Sequence, residues 1–468
     1  AMSALRWGDV LDFLEVEAVG GRIRRDRKVG ICTDSRAIKP GDVFWVLKGE
    51  RFDGHAFVGT AFEKGGIAAV VDRKWLEDGF VPSRVFVPVD DTGTAFLKLA
   101  GRHASRFRIP RVAIAGSNGK TTTKEMVACV MAQKGACHRT QANLNNQVGV
   151  PLTLLGIGAA HRSAVVEMGT SSPGELEPLS RAVAPTCAVL TNIGHEHMEF
   201  FKTLERVRDE ELRVVAGLRA GGTFILNADD PYLQRVRTNA RFRVQTYGIR
   251  KGQVRPSDLV YDDRGCASFR VGRTRFRLNV PGVHNVYNAL AAIAVGITHR
   301  IPKARIADAL DSFRAVEGRM NVIDAQSFRL IDDCYNANPP SVRSALSILA
   351  GMACDGRRIA VLGDMLELGD EGPALHRSIG AWACEMDVDL LWCIGPLSKD
   401  IVEGARAKGL APERLRHFPD KQALEAALVD EVGEGDVVLV KASHGLRLDT
   451  IVARLRAIGS VHSHGDLR

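Results

Sequence analysis

The 468-residue sequence lacks several features that mark specialised classes of protein. Its nine cysteines are odd in number and include no C-x-x-C pair, which argues against a zinc cage or a disulfide framework and favours a reducing compartment. No stretch approaches the ~20 apolar residues of a membrane span. Basic residues are spread along the chain apart from RIRRDRK at 22–28, so the net charge of +8 is weak evidence for nucleic acid. These absences predict a cytoplasmic protein with no membrane span and no nucleic-acid partner.

The composition is that of a globular protein, with 45% hydrophobic and 25% charged residues. At ~100–200 residues per domain, the length predicts two to four domains, and the pattern of apolar runs divides the chain into three. We predict an α/β fold with domains over 1–109, 110–316 and 317–468. Pro110 marks the first boundary, because the residue before a proline is biased away from the helical conformation.

Short apolar runs predict the strands of all three domains. In the first domain these runs lie at 43–47, 67–71 and 85–89. In the second they lie at 112–116, 164–169, 187–194 and 222–230. In the third they lie at 329–335, 357–365, 389–395 and 436–443. Strands that alternate with helices require crossover connections, so we predict mostly parallel sheets, P-loop-ATPase-like in the second domain and Rossmann-like in the third.

Three further segments complete this pattern. Helices are predicted over 92–107 and 284–298, where apolar residues recur at helical spacing. Residues 240–280 alternate between polar and apolar types and are predicted to add short antiparallel strands to the second sheet.

The run VAIAGSNGKTTTKE at 112–125 begins as a buried strand and ends as a polar helix. Backbone N–H groups and the positive end of the helix converge in such a turn, so it suits a polyphosphate. Lys120 would reach the β and γ phosphoryl oxygens, and Thr121 would hold Mg²⁺. The pattern G-x-x-x-x-G-K-[ST] requires a glycine where this chain has Ile114, so the match is to a shorter form. The predicted nucleotide-binding residues are Gly116, Ser117, Asn118, Gly119, Lys120, Thr121 and Thr122.

The structural alternative for this loop is a glycine-rich turn with a solvent-exposed lysine.

Metal ligands are expected beside a phosphate loop, since charge builds on the γ-phosphoryl oxygens during transfer. Glu167 ends a predicted strand, where α/β sheets place their ligands, and a buried glutamate needs a cation. Glu167 is therefore predicted to bind Mg²⁺ together with Thr121, and His197 to bind a second Mg²⁺. A helix N-terminal charge and an ordinary loop histidine are the respective alternatives.

The motif TDSR comprises Thr33, Asp34, Ser35 and Arg36. Two hydroxyl groups and a guanidinium within four residues could clamp a pyrophosphate or a uracil. A capped turn with a surface arginine explains the same four residues equally well, so both interpretations stay open.

Eight motifs along the chain share one resemblance. They are TDSRAIKPGDVFWVLKGERFDGHAF (33–57), GSNGKTTTKE (116–125), NLNNQVGVPLTLL (143–155), EMGTSSPGEL (167–176), GVHNVYNALAA (282–292), GRM (318–320), IDDCYNANPPSVRSAL (331–346) and VLGDMLELGDEGPALH (361–376). Together they resemble the Mur ligases, the ATP-dependent amino-acid and peptide ligases of peptidoglycan precursor synthesis. The last two are similar to the branch that adds D-alanyl-D-alanine, and the DNPR-type motif of the diaminopimelate-adding branch is absent from the third domain.

The resemblance implies an enzyme that uses ATP and Mg²⁺ to join D-alanyl-D-alanine to UDP-N-acetylmuramoyl-tripeptide in the cytoplasm. The first domain would hold the UDP end of that substrate. The γ-phosphoryl group would pass to the tripeptide carboxylate, and the dipeptide amine would attack the resulting acyl phosphate. The resemblance also implies a monomer, and it leaves open whether peptide residue three is diaminopimelate or lysine.

The resemblance further implies roles for residues outside the phosphate loop. Asn285 and Asn288 would contact adenine, and their three-residue spacing places both on one helix face. Tyr335 would stack on that ring, Arg319 would meet the phosphates and Asp333 would lie close to the ribose. The implied substrate-binding residues are Thr33, Asp34, Ser35, Arg36, Gly54, His55, Asn145, Asn146, Asn336 and Asn338. The implied catalytic residues are Lys120, Glu167, His197 and Glu211.

Two positions depart from the family pattern. Related ligases carry a carbamoylated lysine about fourteen residues after the histidine, where this chain has Glu211. A glutamate could supply the negative charge directly or through water. Glu210 or Asp209 could replace it if the register shifts, or the stretch could be a solvated acidic helix face. The motif KASHG departs from K-G-S-[RK] at Ala442 and His444, which affects the region implied for the dipeptide.

Two other functions remain as alternatives. A folylpolyglutamate-synthase-like ligase shares the ATPase and C-terminal folds, but it lacks a UDP-binding first domain such as TDSR and DGH indicate here. A non-catalytic muramyl-peptide-binding homologue is supported by the missing lysine alone.

Overall fold

Apolar runs separated by amphipathic helices fold into three α/β units, each built on its own largely parallel sheet. The architecture comes from a computed structural model, which describes residues 5–49, 52–77, 84–234, 236, 241–325 and 327–461. Within these ranges, no helix is both long and apolar enough to cross a bilayer. The α/β class and the three-part organisation are confirmed, while the boundaries at 109/110 and 316/317 stay predictions.

The N-terminal unit holds a four-stranded parallel sheet. Its strands are β1 (Leu5–Arg6), β2 (Lys28–Val29), β3 (Ile31–Cys32), β4 (Val43–Trp45), β5 (Lys48–Gly49), β6 (Phe52–Asp53), β7 (Ala68–Asp72) and β8 (Val85–Val89). Its helices are α1 (Trp7–Leu14), α2 (Val58–Glu63), α3 (Arg73–Glu77) and α4 (Thr92–Ser105). The sheet order is β3-β4-β7-β8, and β1-β2 and β5-β6 form separate antiparallel pairs. β4, β7 and β8 are buried along their whole length, as expected where both faces of a parallel sheet are covered.

The middle unit is the largest. Its strands are β9 (Arg111–Ala115), β10 (Cys137–Arg139), β11 (Ser163–Glu167), β12 (Cys187–Leu190), β13 (Thr223–Asn227), β14 (Arg243–Tyr247), β15 (Ser257–Tyr261), β16 (Cys266–Val271) and β17 (Thr274–Pro281). Its helices are α5 (Lys120–Met131), α6 (Gly149–Leu155), α7 (Leu176–Val183), α8 (Met198–Phe201), α9 (Leu204–Glu211), α10 (Val283–Thr298) and α11 (Lys303–Asp311). Its main sheet is entirely parallel, in the order β10-β11-β9-β12-β13-β14.

The prediction for residues 240–280 is wrong in one respect. β14 joins the main sheet as a parallel edge strand beside β13. β15, β16 and β17 form a separate three-stranded antiparallel sheet instead of extending the main one. Alternation identifies a strand with one covered face, but it does not specify which edge that strand joins.

The C-terminal unit holds a six-stranded sheet. Its strands are β18 (Asn321–Asp324), β19 (Arg329–Asp332), β20 (Arg358–Gly363), β21 (Leu390–Ile394), β22 (Leu415–Phe418) and β23 (Val437–Lys441). Its helices are α12 (Pro339–Gly351), α13 (Gly372–Glu385), α14 (Lys399–Ala407), α15 (Lys421–Glu431) and α16 (Asp449–Val461). The order is β18-β19-β23-β20-β21-β22, with β18 antiparallel. The four predicted strands are present, and the two edge strands β18 and β22 were not predicted.

The middle sheet determines where functional loops meet. β9 lies between β11 and β12, so the loops that follow these three parallel strands emerge side by side. α5 and α10 belong to one apolar cluster with a face of this sheet, which anchors both helices. The carboxyl edge of β9 is therefore a fixed platform, as expected for the ligand-binding edge of a doubly covered sheet.

Candidate active site

Two glycines shape the loop between β9 and α5. Gly116 and Gly119 adopt φ angles of +116° and +81°, in the region that L side chains rarely enter. A Cβ atom at Gly119 would lie 2.5 Å from Asn288 Oδ1, and one at Gly116 would collide with Thr191. The loop therefore approaches its neighbours more closely than any residue with a side chain allows.

Lys120 is the first residue of α5, and its ammonium group turns back toward the loop. Nζ donates to Gly116 O at 2.6 Å and to Glu196 Oε2 at 3.1 Å. Burial acts to lower the pKa of Lys120, but the carboxylates of Glu196, Glu211 and Glu167 outweigh it and raise that pKa. The alternative of a solvent-exposed lysine is wrong, because the side chain is 15% exposed and ion-paired.

Glu167 is the last residue of β11 and lies beside the start of α5. Its Oε1 accepts hydrogen bonds from Thr121 Oγ1 at 3.2 Å and from Asn145 Nδ2 at 2.8 Å. Its Oε2 lies 3.7 Å from Lys124 Nζ and has no hydrogen-bond partner within the described part of the chain. The structure thus brings together the predicted pair of Thr121 and Glu167, with one carboxylate oxygen still able to accept a ligand.

Lys124 is a site residue that the motif alone does not reveal. It follows Lys120 by one helical turn, and its side chain is 1% exposed. Nζ donates to Thr140 O at 2.9 Å and lies 3.0 Å from Glu125 Oε1 and 3.7 Å from Glu167 Oε2. The i,i+4 spacing from Lys120 was the available signal, because such residues share one helix face.

The two glutamates at the end of α9 have different environments. Glu211 is 0% exposed, and its Oε2 accepts a hydrogen bond from Gly116 N at 2.6 Å. Glu210 is 7% exposed and accepts from the N–H groups of Gly174 and Leu176, each at 2.8 Å, at the start of α7. Glu211 therefore supports the phosphate loop while Glu210 caps a helix, and neither belongs to a solvated acidic face.

Glu196 is a second site residue that was not predicted. It lies between β12 and α8, accepts the hydrogen bond from Lys120, and has a side chain that is 11% exposed. Its Oε1 accepts no hydrogen bond from an N–H group among the residues that the structure describes, and its carboxyl group lies beside that of Glu211. Its partner is 76 residues away in sequence, so the motif GHEHME gives no signal that separates Glu196 from an ordinary loop glutamate.

His197 contacts the C-terminal unit. Its Nδ1 lies 2.7 Å from Glu367 Oε2, and both residues are left-handed, with φ of 47° and 64°. This hydrogen bond lowers the pKa of Glu367. His197 lines the same cleft as Lys120 and Glu167, but its contact is with Glu367, so its role as a Mg²⁺ ligand stays a prediction.

The two asparagines of α10 belong to a chain of hydrogen bonds. Thr123 Oγ1 donates to Asn288 Oδ1 at 3.1 Å, and Asn288 Nδ2 donates to Asn285 Oδ1 at 3.0 Å. Asn285 Nδ2 in turn donates to Pro281 O at 2.8 Å. Both asparagines line the cleft, and this chain fixes their orientation relative to α5.

The C-terminal unit contributes a stack and an ion pair. The Arg319 guanidinium lies 4.1 Å from the centroid of the Tyr335 ring, and the His444 ring meets Tyr335 edge-on at 5.4 Å. Lys441 Nζ lies 2.6 Å from Asp333 Oδ2. Because Arg319 covers one face of Tyr335, a purine could stack on that ring at its other face or after Arg319 moves.

The predicted asparagines of the peptide region have structural partners. Asn338 Nδ2 donates to Asn118 Oδ1 at 2.7 Å, which joins the C-terminal unit to the phosphate loop. Asn338 Oδ1 also caps α12 by accepting from Ser341 N at 3.0 Å. Asn336 Oδ1 accepts from the next backbone N–H, and Asn146 Oδ1 accepts two N–H groups at the start of α6.

A cleft of about 880 Å³ between the middle and C-terminal units collects most of these groups. The predicted residues in its lining are Ser117, Asn118, Gly119, Lys120, Thr121, Thr122, Asn145, Asn146, Glu167, His197, Asn285, Asn288, Arg319, Asp333, Tyr335, Asn336 and Asn338. Gly116 and Glu211 lie outside the lining, joined to each other by their hydrogen bond.

The predicted residues of the N-terminal unit do not line this cleft. In the turn after β3, Arg36 Nη2 lies 2.8 Å from Asp34 Oδ2, and the two side chains are 87% and 44% exposed. Hydrogen bonds from Arg36 lower the pKa of Asp34 to about 2. Thr33 and Ser35 belong to the same turn, so the motif forms a surface arginine–aspartate pair in this structure.

His55 and Gly54 have structural roles of their own. His55 Nδ1 lies 2.6 Å from Asp53 Oδ1, and Nε2 accepts from Asp72 N at 3.1 Å. A Cβ atom at Gly54 would lie 2.7 Å from Leu47 O. Both ring nitrogens of His55 therefore have protein partners that hold the turn in place. A substrate would contact other atoms of the turn.

The donor set at the loop suits one metal carried with a nucleotide. Across the described ranges, no group of three or more His, Cys, Asp or Glu side chains could hold a metal ion unaided. Mg²⁺, however, usually keeps several waters and binds through one or two carboxylates together with substrate phosphates. Oε2 of Glu167, which accepts no hydrogen bond in the described ranges, and the hydroxyl of Thr121 are oxygen donors of that kind, so these residues fit Mg²⁺.

Three family models match the chain, one in each unit. The Mur ligase family catalytic domain matches residues 29–96, the Mur ligase middle domain matches 114–296, and the Mur ligase glutamate ligase domain matches 318–444.

Relatives match almost the whole length. The UDP-N-acetylmuramoyl-tripeptide–D-alanyl-D-alanine ligase of Bacillus subtilis is 36% identical over 433 residues, which cover 91% of this chain and 93% of that protein. A crystal structure of MurF from Acinetobacter baumannii superposes with a TM-score of 0.88 at 27% identity, covering 97% and 99% of the two chains. MurF ligase from Thermotoga maritima in complex with ADP gives a TM-score of 0.80 at 26% identity, covering 92% and 98%.

Proposed function

The chain belongs to the Mur ligase family, and we propose that it joins D-alanyl-D-alanine to UDP-N-acetylmuramoyl-tripeptide with cleavage of ATP. The relatives that it matches from end to end carry that activity in their names. MurF structures from Acinetobacter baumannii and Thermotoga maritima are 26–28% identical to this chain and cover 92–97% of it, and the second is a complex with ADP.

One observation carries the proposal most directly. The glycine-rich loop, Lys120 and Glu167 lie in the same cleft as Asp333 and Lys441 of the C-terminal unit. An enzyme that transfers a phosphoryl group from a nucleotide to a second substrate needs both partners in one enclosed space. The cleft between two units provides that space.

The reaction itself requires little covalent chemistry from the protein. A carboxylate is a poor electrophile, so the γ-phosphoryl group passes to the terminal carboxylate of the tripeptide and forms an acyl phosphate. The amine of D-alanyl-D-alanine then attacks the acyl carbon, and inorganic phosphate leaves. Lys120 and the loop N–H groups would bind the phosphates and offset the charge that develops on their oxygens.

Thr121 and Glu167 would hold Mg²⁺, which when bound neutralises phosphate charge. Asn145, which donates to Glu167, keeps that carboxylate oriented toward the loop. The hydrogen bonds of Asn118 with Asn338 and of His197 with Glu367 would hold the C-terminal unit over the nucleotide, which excludes water that would hydrolyse the acyl phosphate.

The remaining roles are also part of the proposal. The N-terminal unit would bind the UDP end of the substrate through the turn that carries Asp34 and Arg36. We place the reaction in the cytoplasm, within peptidoglycan precursor synthesis. A monomer is expected from the resemblance, and the domain boundaries at 109/110 and 316/317 are proposed from Pro110 and from the pattern of apolar runs.

A phosphate-release assay tests the proposal. Purified protein with ATP, Mg²⁺ and UDP-N-acetylmuramoyl-tripeptide should release phosphate in amounts that depend on added D-alanyl-D-alanine, with one new amide bond detected per phosphate by mass spectrometry. Glycine and D-alanine in place of the dipeptide are the matched controls.

The outcome also separates the alternatives. Tight binding of the UDP-substrate with no dipeptide-dependent turnover would identify a non-catalytic muramyl-peptide binder. Turnover with a different amino acid and none with the dipeptide would identify another branch of the family.

A further inference from the structure

The cationic side chain of the phosphate loop is already paired with a glutamate. Lys120 Nζ donates to two loop carbonyls, those of Gly116 and Ser117, and to Glu196 Oε2 at 3.1 Å. An ammonium group has three N–H donors, so these three contacts saturate Lys120. A phosphate can therefore bind Lys120 only if at least one of these contacts is released.

The contact with Glu196 is the one that an anion would replace. The two carbonyls belong to the loop itself, whereas Glu196 approaches from the adjacent loop after β12. Its carboxylate is the negatively charged partner of Lys120, as a phosphate oxygen would be. In charge and position, Glu196 therefore substitutes for a phosphate oxygen.

Displacement of Glu196 from Lys120 also has an electrostatic cost, because the carboxyl group of Glu211 lies next to Glu196. Glu211 is fully buried, and after burial itself the charge of Glu196 is the next cause that raises its pKa. A hydrogen bond between the carboxyl groups of Glu196 and Glu211 raises that pKa further, and neither Oε1 accepts a hydrogen bond from an N–H group in the described ranges. Once Lys120 turns to a phosphate, this carboxyl pair faces a polyanion with no cation of its own.

A divalent cation would offset this repulsion between the carboxyl groups and the phosphates. Mg²⁺ bound with the nucleotide would offset the charge of Glu196 at the moment when Lys120 leaves it, and carboxylate oxygens are ligands that Mg²⁺ accepts. We propose that Glu196 is an exchangeable counter-ion of the phosphate loop, which excludes metal-free nucleotide and makes nucleotide binding depend on a divalent cation. This inference rests on the proposed nucleotide-binding function and adds a specificity-determining residue to it.

Calorimetric titration with a non-hydrolysable ATP analogue tests the proposal, with the full-length chain in either EDTA or excess Mg²⁺. The ratio of the two Kd values measures the coupling between metal and nucleotide. Glu196→Gln keeps the shape of the side chain and removes its charge, so it should tighten binding in EDTA by about tenfold or more and reduce the ratio by the same factor. Binding with Mg²⁺ should change less.

Two variants serve as controls. Glu196→Asp keeps the charge and should keep the wild-type ratio within about threefold. Glu199→Gln removes an exposed charge three residues away, outside the lining of the cleft, and should leave both Kd values unchanged. Thermal unfolding of each variant reports whether the fold is retained.

The outcomes are distinct. An unchanged ratio in a folded Glu196→Gln protein, or an equal change in Glu199→Gln, overturns the role of Glu196 while the proposed function stands. If the wild-type protein binds no nucleotide in either condition, the proposed function fails, and this inference fails with it.

Discussion

The two predicted charged motifs of this chain have opposite environments. At the phosphate loop, Lys120, Lys124 and Glu167 have side chains that are 15% exposed or less and held by several protein contacts. In the turn after β3, Asp34 and Arg36 contact mainly each other, and the arginine is 87% exposed. The first motif is thus organised before any ligand arrives, whereas the second depends on its ligand for further contacts.

This difference determines what a mutation in each place should do. Removing one member of a buried charged group leaves its partners unpaired, which costs both stability and function. Removing an exposed ion pair has little effect on stability, because water already solvates both groups. Substitutions in the phosphate loop should therefore change both stability and activity. Substitutions in the N-terminal turn should change substrate binding alone.

Substitution of Lys120 should give the largest effect. Lys120→Ala removes the cation that is proposed to bind the β and γ phosphates, so turnover should fall by about a thousandfold or more. Steady-state phosphate release measures this loss, and circular dichroism should show a retained fold. Lys303→Ala, which removes an exposed lysine at the start of α11, is the matched control. Wild-type turnover in Lys120→Ala would refute the loop assignment.

Loss of the buried lysine one turn later should mainly reduce stability. Lys124→Met leaves the buried Glu167 without its cation, whereas Glu125 keeps its ion pair with Arg139, so the free energy of unfolding should fall by about 3–5 kcal/mol. Urea denaturation measures it. Adding Glu167→Gln should restore part of the loss, because it removes the carboxylate that lost its ion pair with Lys124. A stability change below about 1 kcal/mol would mean that water reaches these groups.

Substitutions of the two adjacent glutamates of α9 should have different effects, one on the Mg²⁺ requirement and the other on stability. Glu211→Ala removes the carboxylate beside Gly116 and should raise the Mg²⁺ concentration needed for half-maximal activity by more than Glu210→Ala does. Glu210→Ala should instead lower the free energy of unfolding by about 1–2 kcal/mol, through the lost cap of α7. Equal and negligible effects on the Mg²⁺ requirement would remove Glu211 from the metal region.

The sequence predicted the parts of this site that depend on local chemistry. Gly116, Lys120 and Thr121 follow from a strand-to-helix turn, and Glu167 follows from the rule that ligands gather at strand ends. The structure places these residues in contact, as expected. Counting from the histidine also located Glu211, whose partner Gly116 lies 95 positions earlier.

Contacts between distant loops were beyond that reasoning. Glu196 lies in the loop after β12, and its partner Lys120 begins a distant helix of the same unit. Glu367 lies in the loop after β20, and its partner His197 belongs to the middle unit. The prediction also placed β15, β16 and β17 in the wrong sheet. Alternation indicates that one face of a strand is covered, but it does not identify the neighbouring strand. Local patterns specify elements, whereas packing specifies which elements meet.

The smallest effect is expected at the exposed pair, where titration offers a direct measurement. Hydrogen bonds from Arg36 lower the pKa of Asp34 from 3.8 to about 2. Because the folded chain binds this proton less tightly than the unfolded chain, any stability that the pair adds is present above pH ~4 and lost as pH falls through about 2, and solvent screening at these exposed side chains keeps it too small to shift Tm. Carboxyl NMR should show the pKa of Asp34 raised toward its ordinary value in Arg36→Ala, which keeps the hydrogen bond from the backbone N–H of residue 36, with no measurable change in Tm at pH 7. A fall in Tm at neutral pH would place this pair with the buried charges of the loop and abolish the contrast between the two motifs.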